Sequence, residues 1–228
     1  MTRLLILRPE PGASETAHRA RSLGMDPVVA PLFEIKPLPW TAPDGRFDAL
    51  LLTSANAARN AGHLPDLPCF AVGEATAAAA RAAGLAEVIA GPSDGQAALA
   101  LAAAHGHKRI LHLCGQEHVA IDPAGVTMER RIVYASDAMP DLPVDARAAL
   151  SEGAVVLLHS PRAARQFAML APDRSLIRIA AISAAAADAA GSGWASIDVA
   201  ATPRDDALLE LAAQLCKAGT SQMTGRDR

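Results

Sequence analysis

A single tyrosine, Tyr134, is the side chain of this sequence best suited to proton transfer, because no other phenol is present. It lies in the β-prone segment 131–136, between two halves of the chain that repeat the same pattern of strands and polar turns. A phenol between two lobes would border a cleft, where it could protonate a leaving group. The alternative is a packing role, since an aromatic ring with a polar end suits a junction between lobes. We predict Tyr134 as the catalytic residue.

Small polar residues and glycines follow several predicted strands, at the ends where open α/β sheets bind their ligands. Helix starts at these ends would present backbone N–H groups to an anion, so we predict a polycarboxylate or phosphate ligand. The alternative for each serine or threonine is an ordinary helix cap, because caps use the same residue types. The candidate substrate-binding positions are Ser54, Gly73, Thr76, Gly115, Ser160 and Ser183.

Two arginines also stand at strand ends, Arg8 and Arg162, and each is next to a proline. A guanidinium can bind a carboxylate through two parallel hydrogen bonds. We expect one of these arginines in each lobe, binding carboxylates across the cleft. The alternative is that both are solvated surface side chains.

Several other kinds of site find no support in the sequence. It lacks the glycine patterns of dinucleotide-binding and phosphate-binding loops, and also the G-x-S-x-G pattern of acyl-transfer serines. Cys69, Cys114 and Cys216 are widely spaced and form no CxxC pair, so we predict buried free thiols. The histidines within residues 105–112 give no common face for a metal ion. We therefore expect neither a metal nor a cofactor.

The composition, with 51% hydrophobic and 20% charged residues, is that of an ordinary globular chain. The net charge of -3 and the scattered basic residues give no extended basic face, so we expect neither nucleic acid nor an anionic membrane as a partner. The apolar run at residues 4–7 is too short for a signal sequence or a membrane span. We expect a cytoplasmic monomer that acts on a small molecule.

Short apolar runs alternate with alanine-rich segments along the chain, a pattern typical of parallel sheets flanked by helices. Most of the runs have the length of buried parallel strands. The sequence therefore predicts an α/β fold. The predicted strands are residues 4–7, 27–33, 49–53, 69–72, 87–90, 109–113, 127–135, 155–159, 177–182 and 195–200.

A weak internal repeat organises these elements. The matching segments are residues 47–60 with 153–167, 70–92 with 180–203, and 109–115 with 3–9. The last match places the amino terminus in the second copy. The repeat therefore predicts one discontinuous lobe of residues 1–34 plus 137–228 and one continuous lobe of residues 37–130, each with a parallel sheet. Residues 32–38 and 130–136 would pair as a two-stranded hinge between the lobes.

The chain carries five strand-and-turn motifs in a fixed order: LILRP at residues 5–9, LTSANA at 52–57, AVGEATA at 71–77, VY at 133–134 and LHSPRA at 158–163. This series resembles the uroporphyrinogen-III synthase family over essentially the whole chain. The resemblance implies a cofactor-free lyase of tetrapyrrole and heme biosynthesis. Such an enzyme cyclises the octacarboxylate hydroxymethylbilane, with loss of water and inversion of the terminal pyrrole ring, to give uroporphyrinogen III.

The resemblance also implies roles for individual residues. Tyr134 matches the family's tyrosine between the two domains, which is proposed to protonate the departing hydroxyl group. Other positions match turns that hold the acid side chains of the substrate; these are Ser54, Asn56, Gly73, Thr76 and Ser160.

Two parts of the sequence depart from the family pattern. Ser183 and Ala186 stand where glycine and threonine are usual, which removes a flexible turn and a hydroxyl group. His159 replaces the more usual threonine before Ser160. Two alternatives therefore stay open: a catalytically weakened member of the family, or a two-lobed module that binds or senses an anionic ligand.

Overall fold

The computed structural model describes residues 3–91, 94–123 and 125–223, with side chains up to Cys216. The chain forms two compact units: unit 1 comprises residues 1–34 and 138–228, and unit 2 comprises residues 35–137. Each unit contains one sheet, mostly parallel and flanked by helices. The predicted α/β fold class is confirmed.

Strands and helices alternate along the described residues. In chain order they are β1 (Arg3–Ile6), α1 (Gly12–Ser22), β2 (Asp26–Val29), β3 (Phe33–Pro37), β4 (Ala49–Leu52), α2 (Ala55–Asn60), β5 (Cys69–Val72), α3 (Gly73–Ala82), β6 (Val88–Gly91), α4 (Gly95–Ala104), β7 (Arg109–Gly115), β8 (Thr127–Ala138), α5 (Val144–Ser151), β9 (Val155–Leu158), α6 (Pro161–Leu170), a 3-10 turn (Arg174–Leu176), β10 (Arg178–Ala181), α7 (Ala184–Ala190), β11 (Ser196–Val199) and α8 (Asp205–Met223). Within the described part of the chain, no helix is both long and apolar enough for a membrane crossing.

One predicted strand, residues 27–33, is wrong as a single element. The chain instead forms β2, which ends at Val29, and β3, which begins at Phe33. The N–H groups of Ala30 and Leu32 still donate to the carbonyls of Ile6 and Leu7 at 3.0 Å, but β2 pairs with β1 whereas β3 is the neighbour of β8 in the other sheet, so the run is divided between two sheets. Strand β8 is longer than predicted and continues to Ala138.

The sheet of unit 1 has the order β11-β10-β9-β1-β2, and all its neighbouring strands are parallel. Strand β1 therefore shares a sheet with β9 and β10, as the repeat predicted. Side chains alternate along β1. Leu5 packs in the core formed with α5, α6 and α7, whereas Leu4 and Ile6 pack in the core formed with α1 and α8. Both faces are buried, which explains why these strands are apolar without interruption.

The sheet of unit 2 has the order β3-β8-β7-β4-β5-β6, and the strands from β4 to β8 are joined by parallel pairs. Next to β8, the N–H group of Leu38 donates to the carbonyl of Val133 at 2.9 Å. Leu52 lies in the core with α2 and α3, and Leu51 lies in the core with α4 on the other face. Because β4 and β7 are parallel neighbours, their carboxyl ends lie at the same edge of this sheet, where polar residues begin.

Candidate active site

Tyr134 and Ser54 are brought together at this edge of unit 2. The Tyr134 hydroxyl donates to Ser54 Oγ at 3.0 Å. Ser54 Oγ also accepts the N–H of Asn56 at 3.1 Å and so caps α2. The carbonyl of Asn56 accepts the Asn60 side chain at 2.8 Å, so both backbone polar groups of Asn56 already have partners. A contact between Asn56 and a substrate would have to use its side-chain amide.

Gly115 provides the space in which the Tyr134 ring lies. A Cβ atom at position 115 would be only 2.6 Å from Tyr134 Cζ and 2.8 Å from the hydroxyl oxygen. The two residues are paired across β7 and β8 after a register shift at Cys114/Gly115. The next N–H group, that of Gln116, donates to the Tyr134 carbonyl at 2.9 Å. Gly115 thus belongs to the candidate site because the phenol lies against its backbone.

A buried histidine supports the end of β4 beside Ser54. His112 Nε2 lies 3.0 Å from Thr53 Oγ1, and Arg130 Nε donates to His112 Nδ1 at 3.4 Å. Because Nδ1 accepts a bond, the ring proton of the neutral imidazole is on Nε2 and is donated to Thr53. Burial, together with the nearby charges of Arg130 and His118, lowers the pKa of His112 to about 4. The imidazole is therefore neutral at pH 7.

This buried imidazole should make unit 2 sensitive to acid. The pKa of His112 is about 4 in the folded chain, against an ordinary value of 6.5. Between these values the unfolded state binds more protons, so stability is complete above 6.5 and is lost as the pH falls toward 4. We expect the free energy of unfolding to fall by about 2 kcal/mol between pH 7 and pH 5 from this group.

Urea unfolding of the wild type, His112→Gln and His63→Gln at pH 7 and pH 5 would measure this effect. Glutamine cannot titrate, so His112→Gln should lose the acid-dependent part of the change even if it is less stable at both pH values. His63 is exposed, so His63→Gln is the matched control and should show the same acid-dependent loss of stability as the wild type. An equal pH dependence in all three proteins would contradict the prediction.

Gly73 and Thr76 lie at the start of α3, directly after β5. Gly73 has a φ of +71°, a conformation that favours glycine, and a Cβ atom there would meet no atom within 4 Å. The cap residue Val72 supplies no side-chain hydrogen bond to the helix, so the first N–H groups of α3 can bind an anion. Thr76 is only 5% exposed, which leaves little of its side chain accessible to a ligand.

In unit 1, Ser160 and Ser183 follow β9 and β10, and each of them caps a helix. Ser160 Oγ accepts the N–H of Ala163 at 3.1 Å, and Ser183 Oγ accepts the N–H of Ala186 at 3.3 Å. The φ of Ser183 is -156°, an extended conformation, whereas Gly73 in unit 2 is left-handed. The turn at Ser183 therefore has no need of glycine, and its serine replaces the flexible turn with a side-chain cap.

Arg8 belongs to a polar cluster of five side chains in unit 1. Its Nη1 donates to Thr16 Oγ1 at 3.3 Å and lies 3.7 Å from Asp205 Oδ1. Asp205 also accepts Thr16 Oγ1 at 2.9 Å, Arg19 Nε at 2.8 Å and His159 Nε2 at 2.9 Å. Thr16 is fully buried, and the side chains of His159 and Asp205 are 6% and 14% exposed. Asp205 is therefore the shared acceptor of the cluster.

The charges of this cluster follow from burial and hydrogen bonding. Burial alone would raise the pKa of Asp205, but the bonds from His159, Arg19 and Thr16 outweigh it and hold that pKa well below its usual range. Burial lowers the pKa of His159, and the hydrogen bond with Asp205 opposes this effect only in part. At neutral pH the cluster thus contains one carboxylate, a neutral imidazole, and the two guanidinium groups of Arg8 and Arg19.

Arg162 also lies in unit 1, where its guanidinium stacks over the Phe33 ring at 4.2 Å from the ring centroid. Arg8 is in the same unit. The expectation that the two arginines come from opposite lobes is therefore wrong. The cause is the amino-terminal strand β1, which pairs with β9 and so brings Arg8 into the unit that contains Arg162.

Sequence reasoning missed six residues of these arrangements: Thr53, His112, Arg130, Thr16, Arg19 and Asp205. One signal was available, since His112 is a polar residue inside the apolar strand β7 and is fully buried. A buried polar group needs a hydrogen-bond partner. Asp205 had the appearance of an ordinary acidic residue in the first turn of α8, and nothing local distinguished it.

Comparisons with known proteins gave one family model and several similar solved structures. A family model described as uroporphyrinogen-III synthase HemD matches residues 14–210. A search of curated proteins gave no significant match. The chain is similar to the crystal structure of uroporphyrinogen-III synthetase from Helicobacter pylori 26695, with a TM-score of 0.67 and 19% identity over 94% of this chain and 100% of that one. It also matches uroporphyrinogen III synthase from the extremely thermophilic bacterium Thermus thermophilus, with a TM-score of 0.41 and 17% identity over 98% of this chain and 100% of that one.

Proposed function

The chain belongs to the uroporphyrinogen-III synthase family, and we propose how its residues carry out the reaction of that family. It is a cyclising lyase of tetrapyrrole biosynthesis that converts hydroxymethylbilane to uroporphyrinogen III, with loss of water and inversion of the terminal pyrrole ring. The observation that supports the proposed mechanism is the hydrogen bond of 3.0 Å between Tyr134 and Ser54 at the carboxyl edge of the sheet in unit 2.

Tyr134 is the proposed proton donor to the departing hydroxyl group. The pyrrole nitrogen drives departure of this group and leaves an azafulvene cation, so the protein needs to supply only one proton to form water. When Tyr134 donates its proton to the substrate oxygen instead of bonding to Ser54, the Ser54 hydroxyl can donate a hydrogen bond to the phenol oxygen. This exchange stabilises the negative charge that develops on the phenol, and general acid catalysis of this kind contributes about 10²-fold to 10⁴-fold.

The remaining predicted residues are proposed to hold the carboxylates of the substrate. In unit 2, the uncapped start of α3 at Gly73 and Thr76 supplies N–H groups, and Asn56 supplies an amide. In unit 1, Arg8 and Arg162 supply guanidinium groups, and Ser160 and Ser183 supply the starts of α6 and α7. Holding a flexible linear substrate so that its ends meet is the larger part of this catalysis, because orientation lowers the entropic barrier to ring closure.

We also propose that residues 1–34 with 137–228, and residues 37–130, are the two lobes of the enzyme, linked by the strands at 32–38 and 130–136. Support comes from the chain itself, which passes between units 1 and 2 after Glu34 and again after Asp137. Strands β3 and β8, which contain these two points, are neighbours in one sheet.

The proposed enzyme acts in the cytoplasm as a monomer, without a cofactor and without nucleic acid as a partner. Its three cysteines are free and buried, as is usual for proteins of reducing compartments. Its net charge of -3 offers no general attraction to a polyanion. Analytical ultracentrifugation would test the monomer.

A coupled assay tests the function directly. Hydroxymethylbilane would be generated enzymatically in the presence of the protein, and the type III and type I uroporphyrinogens would be separated after oxidation. The type I isomer forms spontaneously, so we expect the type III isomer only when the active protein is present. A chain that binds hydroxymethylbilane but leaves the type I isomer as the product would instead be a binding or sensing module.

A further inference from the structure

Gly12, the first residue of α1, lies directly against the Arg8 guanidinium. A Cβ atom at this position would be 2.6 Å from Cζ, Nε and Nη2 of Arg8. Gly12 is helical and lies outside the left-handed region, so its backbone conformation is open to any residue. Glycine disfavours a helix relative to alanine. What glycine provides here is the space that the guanidinium occupies.

The other side of the Arg8 guanidinium is fixed by Thr16 and Asp205. Arg8 Nη1 donates to Thr16, and Thr16 in turn donates to Asp205. Thr16 is fully buried and Asp205 is 14% exposed, so neither acceptor is free to move far. Arg8 therefore has a defined orientation, unlike a solvated surface arginine, and its side chain is still 33% exposed.

The charge of this cluster favours an anion. Asp205 accepts from Arg19 at 2.8 Å and also lies 3.7 Å from Arg8, so a single carboxylate faces two guanidinium groups. One positive charge is left over beside the exposed part of Arg8. A planar guanidinium with fixed orientation is suited to a carboxylate, which it can bind through two parallel hydrogen bonds.

We infer that Gly12 and Asp205 are positioning residues that hold the Arg8 guanidinium as a carboxylate-binding group of unit 1. The inference rests on the proposed function, because the carboxylate would belong to the substrate. It adds a requirement that the proposed function lacks, namely that position 12 has no side chain.

Gly12→Ala is the sharpest test, because it removes no charge and no hydrogen-bonding group. The added methyl group displaces the guanidinium, so we expect KM for hydroxymethylbilane to rise by about 10-fold, with kcat nearly unchanged. The same variant should bind uroporphyrin III, a stable octacarboxylate probe, more weakly by a similar factor. The thermal midpoint should stay the same or rise, since alanine favours the helix. The control is Ser22→Ala, at the exposed last residue of α1, which should change neither binding measurement.

Arg8→Ala and the double variant Gly12→Ala/Arg8→Ala complete the test. If Gly12 acts only through Arg8, the double variant should bind no more weakly than Arg8→Ala alone. Independent, additive losses would overturn the inference, as would wild-type binding by Gly12→Ala. Unchanged binding by Arg8→Ala would overturn it too. The proposed function would still stand in that case, provided that the wild type produces the type III isomer. Failure of the wild type to produce that isomer would instead contradict the proposed function.

Discussion

Replacing Tyr134 with phenylalanine should lower kcat by about 10-fold to 10³-fold and shift the product toward the type I isomer. The variant loses the hydroxyl that we propose protonates the leaving group, whereas the ring keeps its packing against the core of unit 2. The expected loss is somewhat below the full range for general acids because azafulvene formation is partly spontaneous. The measurements are the rate of type III formation, the isomer ratio and the thermal midpoint.

Gly115→Ala gives an independent measurement of the same hydroxyl. Its Cβ atom would come within 2.8 Å of the phenol oxygen, so the phenol must move although its chemistry is intact. We expect kcat to fall in this variant as well.

A stable Tyr134→Phe enzyme with wild-type turnover would remove Tyr134 from the mechanism. A strongly destabilised Tyr134→Phe protein would support the alternative that the tyrosine is mainly a packing residue.

Replacing Asp205 with asparagine should lower the free energy of unfolding by about 2 kcal/mol at neutral pH. The variant keeps the size of the side chain but removes the negative charge that Arg19 and His159 contact at 2.8 and 2.9 Å. Asp206→Asn is the matched control, because Asp206 is exposed and lies in the same first turn of α8. Urea unfolding of both variants at pH 7 would compare the two positions, and equal losses would contradict a special role for Asp205.

The dependence of this effect on pH has a definite sign. The pKa of Asp205 is held below its usual value in the folded chain, so its contribution is complete above the unfolded pKa of about 3.9 and is lost as the pH falls below it. The advantage of the wild type over Asp205→Asn should therefore be at least as large at pH 5 as at pH 7, because the Asp205 charge also favours protonation of His159, and it should shrink below about pH 4.

Asp205→Asn should also weaken substrate binding, because Arg8 would lose one of the groups that orient it. The Gly12→Ala variant separates this effect from lost stability, since it moves the same guanidinium without removing a buried charge. Weaker binding in both variants, with lower stability only in Asp205→Asn, is the expected combination.

The sequence alone determined the fold class and the order of the elements. Strands such as β1 and β9 are apolar on both faces, and only a sheet covered by helices on both sides can bury such strands. The permuted repeat correctly placed β1 in the sheet of β9 and β10. The prediction failed at residues 27–33, where an apolar run that is typical of one strand is divided between two sheets.

The sequence also identified Ser54, Ser160 and Ser183 as residues at helix starts, because capping is a local property of the chain. It could not decide what else each serine oxygen contacts. Ser54 accepts the Tyr134 hydroxyl from 80 residues away, whereas Ser183 replaces a glycine turn with a side-chain cap. The contact of Ser54 with Tyr134 depends on which strands are neighbours, and that is settled only when the sheet forms.

Glycines show most clearly what the local sequence determines and what only long-range packing decides. Gly73 and Gly12 look alike in the sequence, yet Gly73 has a φ of +71° in open space, whereas Gly12 is helical and lies against a guanidinium. Glycine suits position 73 because of the local backbone conformation. It suits position 12 only because Arg8 and α1 have packed together. Likewise, Thr16 and Asp205 are 189 residues apart and become partners only because α1 and α8 pack in the same core. Local chemistry therefore determined the elements, and long-range packing decided which polar side chains share a partner.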